Sequence, residues 1–336
     1  MPSPIRPSPL RPSPIRPSRI LPSRILQRLL RLPVLLALAL LPACSGADLL
    51  NALVPDEGYR VIRDLRYAAG PRRGADVYIP DGADPGSPAP VVVFLYGGGW
   101  HSGSRDDYRF VGEALASRGF VAVIPDYRLY PEVRWPAFLE DSAAAVAWTR
   151  AGADGNLRPG RPVLLAGHSA GAYNAAMLTL DPQWLAAVGE RPCRAIAATA
   201  GLAGPYDFLP LTGARLKAIF GPEEQRPRTQ PVNHVDGTAP PMLLIAGTDD
   251  TTVLPRNSER LARRIGEAGG RAELRRYDGV GHVELVASLA RPLQGSSPAL
   301  DDMVGFFRAH PAPAGCGRGV SAPAPPPGGT SRRSPP

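Results

Sequence analysis

Five runs of apolar residues, at 91–95, 121–124, 163–165, 195–198 and 242–245, punctuate the middle of the chain without the alternation of a half-exposed strand. Runs of that kind belong to strands covered on both faces. Between them, residues 110–117, 138–150, 170–180 and 258–268 carry apolar side chains at helical spacing, and Asn257 or Ser258 is suited to cap the last of these. Strand and helix in alternation predict a doubly wound, mostly parallel sheet. Ahead of it, residues 59–67 alternate as a half-buried strand and 74–79 follow a Gly-Pro turn as a hairpin partner, while 272–277 read as one more strand. The sum is an α/β domain of about eight strands flanked by helices. One stretch, at about 205–240, breaks the rhythm with prolines and a short helical candidate at 212–220. It reads as a small insertion near the site, either a lid or a plain surface connection.

Within this frame one turn stands out. Gly167-His168-Ser169-Ala170-Gly171 joins the apolar run 162–166 to a helical segment beginning Ala172-Tyr173-Asn174. A serine flanked by small residues between strand and helix makes a strained elbow that raises its hydroxyl above a parallel sheet. Such a hydroxyl is a poor nucleophile unless a base lies within hydrogen-bond reach and a carboxylate fixes the tautomer of that base. His282, in Gly279-Val280-Gly281-His282 after the last predicted strand, is the candidate base, and a glycine-rich loop needs something to hold it. The other histidines fit less well: His310 adjoins the tail, His234 lies in the insertion, and His168 points away from the serine. Two adjacent aspartates, Asp249 and Asp250, follow the run 242–245 and compete for the carboxylate. After the third predicted strand comes Tyr96-Gly97-Gly98-Gly99-Trp100, whose glycines let the backbone approach a substrate. Amides of Gly98, Gly99 and Ala170 are then placed to bind a tetrahedral oxyanion.

With Asp126-Tyr127-Arg128-Leu129-Tyr130-Pro131-Glu132, these motifs make residues 59–308 resemble carboxylesterases of the α/β-hydrolase superfamily, near the hormone-sensitive-lipase-like and feruloyl-esterase-like members. The resemblance implies the α/β-hydrolase fold and a triad in the order serine, acid, histidine. It selects Asp250, because such hydrolases commonly show G-x-x-D-x-x-V, and leaves Asp249 to hydrogen-bond its own turn. It also implies a serine hydrolase that cleaves a small carboxylic ester through an acyl-enzyme, without metal or organic cofactor. In that family the glycine motif usually begins with histidine, and Tyr96 stands there instead, which bears on loop geometry and substrate preference. Kynurenine formamidases share an H-G-G-x-W loop, so an arylformamidase or other amide hydrolase is an alternative; a non-catalytic binding protein on the same fold is another. Trp100, Trp135, Tyr206 and Phe208 are candidates to line an acyl or alcohol pocket, with core or rim aromatics as the plainer reading.

The ends differ in composition. Residues 1–26 repeat Pro-Ser with a period of five, too rich in proline for helix or sheet, and 311–336 form a Pro/Gly-rich tail expected to be unstructured. Seven arginines in 1–31 and three in the tail, with no acid in either, account for more than the net charge of +8, so the part between carries −2. No basic face remains for nucleic acid. Arg24, Arg28 and Arg31 precede the apolar run 32–41, too short to span a bilayer, and the pattern is that of an export signal. Cys44, after Leu41-Pro42-Ala43, resembles the acylated cysteine of a bacterial lipobox, although Pro42 departs from it. That resemblance implies an exported protein anchored to a membrane by a lipid, with Ser45 favouring an outer membrane; cleavage to a soluble periplasmic or secreted protein is the alternative. The domains expected are thus 1–44, 45–310 and 311–336. Cys193 and Cys316 suggest no disulfide framework, and the histidine spacing suggests no metal site.

Overall fold

A computed structural model describes residues 46–316. The export signal, Cys44 and the tail beyond residue 316 lie outside the described residues. After helix α1 (Gly46–Ala52), strands β1 (Tyr59–Arg66) and β2 (Gly74–Pro80) form the expected hairpin. The chain continues through β3 (Val91–Leu95), α2 (Arg109–Ala116), β4 (Val121–Pro125), α3 (Ala137–Arg150), β5 (Val163–His168) and α4 (Ala170–Leu180). It then runs through β6 (Ile196–Leu202), α5 (Ala214–Phe220), β7 (Met242–Gly247), α6 (Arg256–Glu267), β8 (Ala272–Tyr277), α7 (His282–Ala287) and α8 (Ala299–Ala309). One eight-stranded sheet results, in the order β1-β2-β4-β3-β5-β6-β7-β8. β2 runs antiparallel to both its neighbours, and every other pairing is parallel. This is the doubly wound, mostly parallel sheet that the apolar runs predict, and the α/β-hydrolase fold that the resemblance implies.

The runs are continuous because each strand feeds two cores. Along β3, Val91, Val93 and Leu95 join the apolar cluster packed on one face, while Val92 and Phe94 join the cluster on the other. β5 divides in the same way, with Val163 and Leu165 on one side and Leu164 and Ala166 on the other. α4 is buried along its whole length, as a helix without a polar face must be.

Register decides which loops meet. Leu95 pairs with Gly167, Gly167 with Gly201, Gly201 with Leu244, and Gly247 with Tyr277. The carboxyl ends of β3, β5, β6, β7 and β8 therefore lie side by side, and that edge is where ligands meet open α/β sheets.

The cysteines correct the sequence reading. Cys193, in the short helical turn before β6, is bonded to Cys316, with Cα atoms 5.0 Å apart. The partners are 123 residues apart in sequence, a separation that no local spacing rule detects. Cys316, within the expected tail, is consequently tied to the domain.

Candidate active site

Ser169 occupies the turn between β5 and α4 with φ 53° and ψ −120°. For a residue with a side chain this is sparsely populated backbone, held only because strand and helix on either side are fixed. Small neighbours allow it: a Cβ on Gly171 would stand 1.9 Å from the Leu95 carbonyl oxygen, so only glycine lets α4 start this close to β3. The serine is thereby held at the carboxyl end of β5, with the strand of the glycine loop, β3, on one side and β6, β7 and β8 on the other.

Around it the structure brings together all three side chains singled out in the sequence. His282 Nε2 lies 2.9 Å from Ser169 Oγ, and His282 Nδ1 donates to Asp250 Oδ2 at 2.7 Å. Asp250 is buried, and its other oxygen accepts the amides of Thr252 and Val253 at 2.9 and 2.8 Å. Asp249 is exposed and accepts instead from the Thr248 hydroxyl. His282 differs from the sequence reading in one respect. It does not sit in the glycine loop but opens α7, with Gly281 as the capping residue.

On the other side of the serine, the glycine loop is fixed by groups that the sequence did not disclose. The Gly97 amide donates to Tyr108 Oη at 3.0 Å. Gly98, at φ 122°, leaves no room for a side chain, since a Cβ there would lie 2.1 Å from the Ser102 carbonyl oxygen. Its carbonyl accepts from the amides of His101 and Ser102. Among the described residues the amides of Gly98, Gly99 and Ala170 meet no protein acceptor. Trp100 closes the loop, donating from Nε1 to Asn174 Oδ1 at 3.1 Å.

Tyr96 is fully buried, and burial pushes its hydroxyl far above the ordinary phenol range. That hydroxyl donates to Asp126 Oδ1 at 3.1 Å and accepts from Arg72 at 2.9 Å. Arg105 also pairs with Asp126, and the Tyr127 hydroxyl donates to the Tyr96 carbonyl at 2.7 Å. The motif around Asp126 thus braces the loop from behind. Its signal was in the sequence, but its partners Arg72 and Arg105 lie in separate connections with no motif of their own.

The insertion docks on the same loop. Phe220 meets the Trp100 ring edge-on at 4.8 Å, Phe208 lies 6.2 Å from it, and both contact Tyr173. Arg215, on α5, donates to His101 at 2.9 Å. Leu254 and Val283, exposed by 39% and 67%, follow closely on the acid and the histidine. Among the described residues no group of three or more His, Cys, Asp or Glu side chains is placed to hold a metal.

The profile of one protein family, BD-FAE, matches residues 75–265. A probable isoprenylcysteine alpha-carbonyl methylesterase of Oryza sativa is 30% identical over 281 residues, covering 76% of this chain and 66% of the relative. Esterase LipC of Mycobacterium tuberculosis is 32% identical over 199 residues, covering 54% of this chain and 49% of the relative. The chain spans about half to two-thirds of the length of these curated relatives. Among solved structures, Thermogutta terrifontis esterase 2 in its apo form superposes with a TM-score of 0.61 at 25% identity, covering 76% of this chain and 96% of that one. A truncated carbohydrate esterase from gut microbiota shares the fold with a TM-score of 0.65 at 21% identity, over 76% of this chain and 98% of that one.

Proposed function

The chain belongs to the BD-FAE family, and from that premise we propose that it is a serine hydrolase that cleaves carboxylic esters through an acyl-enzyme. The observation that carries this reading is the line of bonds from Asp250 through both ring nitrogens of His282 to the Ser169 hydroxyl, at 2.7 and 2.9 Å. The names of the relatives, esterases and a methylesterase, support the same chemistry. His282 takes the Ser169 proton as Oγ attacks the ester carbonyl, then gives it to the departing alkoxide. Asp250, its second oxygen occupied by two amides, keeps the ring in the tautomer that presents Nε2 as acceptor and stabilises the imidazolium that forms. The free amides of Gly98, Gly99 and Ala170 receive the negative charge on the carbonyl oxygen. Water, activated by the same histidine, releases the acid and restores the serine.

Ser169→Ala tests this. Turnover of a p-nitrophenyl ester falls by roughly a million-fold and labelling by a fluorophosphonate disappears, while circular dichroism is unchanged. Retained turnover would end the reading. Faster cleavage of N-formyl aromatic amides than of esters of two to twelve acyl carbons would move it to an amide hydrolase, and a wild-type protein inert to the fluorophosphonate would make it a binding protein.

We also propose that the protein is exported and held at a membrane through an acylated Cys44. The apolar segment before that residue and the Cys193–Cys316 bond, of a kind that persists in oxidising compartments, support this. Mass spectrometry of the mature amino terminus checks it: a diacylated Cys44 is expected, and an unmodified terminus in the soluble fraction would refute the anchor.

A further inference from the structure

We propose that His168 is a positioning residue, whose buried imidazole ties the backbone of His282 and, through Tyr108, the start of the glycine loop into one frame around the Ser169 hydroxyl. The inference rests on the reading of the site given above.

His168 is the last residue of β5, next to Ser169, and is only 5% exposed. Its Nε2 lies 3.1 Å from the His282 carbonyl oxygen, and the two rings are 4.8 Å apart. A carbonyl can only accept, so Nε2 carries the proton and Nδ1 the lone pair. Nδ1 faces the Tyr108 hydroxyl at 3.5 Å, and that hydroxyl already accepts the Gly97 amide at 3.0 Å. Its own proton is therefore left for Nδ1. The Gly97 amide, the Tyr108 hydroxyl, the His168 ring and the His282 carbonyl then form one directed chain in which every donor has an acceptor.

Neither member changes charge in the ordinary range. Burial, then the neighbouring His282, push His168 down to about 3, and burial pushes the Tyr108 hydroxyl up to about 12. The bonding pattern consequently stays the same while His282 gains and loses its proton during turnover. The packing is equally direct: a Cβ on Gly97 would stand 2.8 Å from His168 Nδ1 and 3.2 Å from Ser169 Cβ. Gly97 precedes the free amide of Gly98, and the carbonyl held by His168 belongs to the residue whose ring meets the hydroxyl. Both partners of the serine are thus registered against one ring, and small displacements of such groups lower rates strongly.

The test measures kcat and KM on a p-nitrophenyl ester, with thermal unfolding as a control, for wild type, Ser169→Ala, His168→Leu, His168→Gln, Tyr108→Phe and the Leu/Phe double variant. His168→Leu fills the space without a donor, and kcat is expected to fall by about 10- to 100-fold with KM nearly unchanged. His168→Gln can present an amide N–H where Nε2 stood, and recovers kcat to within about fivefold of wild type. Tyr108→Phe lowers kcat by about tenfold, and the double variant loses less than the product of the single losses, because both act on one chain. A folded His168→Leu protein with wild-type kcat, an equal loss in the Gln variant, or a strictly multiplicative double variant would overturn the inference. Should the Leu variant not fold, a folded Tyr108→Phe protein with wild-type kcat, or a Gln variant that loses much more than about fivefold, would overturn the inference. Turnover by Ser169→Ala would instead overturn the esterase reading, so the two failures are distinguishable.

Discussion

The two sides of Ser169 are held in different ways. On the acid and histidine side, the bonds converge on one carboxylate: Asp250 accepts His282 through one oxygen and the amides of Thr252 and Val253 through the other. On the side of the glycine loop, restraint is spread over Tyr108, Tyr127, Arg72, Asn174 and the turn at Ser102. A concentrated arrangement fails when one atom is changed, whereas a distributed one loses its function in portions. The largest effect expected from breaking this contrast is therefore at Asp250. Asp250→Asn keeps the shape but reverses the hydrogen bond to Nδ1, and kcat should fall by about ten-thousand-fold, the scale seen when the orienting carboxylate of such a triad is neutralised. Steady-state kinetics check it; a loss below about a hundredfold would show that the two sides are equally distributed.

The glycine loop should yield less to a single change. Gly98→Ala forces a Cβ to within 2.1 Å of the Ser102 carbonyl oxygen and moves the amides of Gly98 and Gly99 off the position of the oxyanion. Loss of about one donor lowers kcat by roughly a hundred- to a thousandfold. The corresponding change at Gly99 meets only the His101 ring, at 3.3 Å, and serves as the milder companion in the same assay.

His168 separates stability from chemistry in the same region. A histidine whose folded value is pushed down to about 3 binds fewer protons in the folded chain than in the unfolded one, where the ordinary value is near 6.5. Stability from this group is thus complete above about pH 6.5 and is lost as the pH falls from there towards 3. Between pH 6.5 and 4 the loss is about 3 kcal/mol. Urea unfolding at the two pH values measures it, and His168→Gln, which has no proton to bind, should flatten the dependence by that amount. An equal slope in the variant would assign the acid sensitivity to other groups.

What could be read from the residues follows the same division. The strands were legible because buried parallel strands leave continuous apolar runs, and Ser169 and His282 because each follows a strand in a short, local motif, whereas Asp250 was separated from Asp249 only by the family resemblance. The braces of the glycine loop were not legible, because they pair single side chains across long separations. Tyr108 reaches back to Gly97 from a turn of 3-10 helix, Arg72 from the β1–β2 hairpin, and Asn174 from the middle of α4. His168 was visible within the elbow motif, yet its role depends on the carbonyl of a residue 114 positions later. Periodicity cannot see such pairs. Topology creates them, by setting the carboxyl ends of β3, β5, β7 and β8 along one edge.

The Cys193–Cys316 bond lies outside this contrast and so sharpens it. The bond joins the turn before β6 to the coil after α8, whereas Ser169, His282 and the glycine loop follow β5, β8 and β3. Its effect is on the unfolded chain, where a closed loop of 123 residues has less conformational freedom to lose on folding. Replacing Cys193 with serine should lower stability by about 2 kcal/mol, at the low end for such a loop because the native partner segment is a short coil. Unfolding with and without a thiol reductant measures it, and the difference should vanish in the variant. Ester turnover at 25 °C should match wild type in both. If turnover fell with the bond, the tail would have to be reaching the site, and the restraint around Ser169 would extend beyond the loops described.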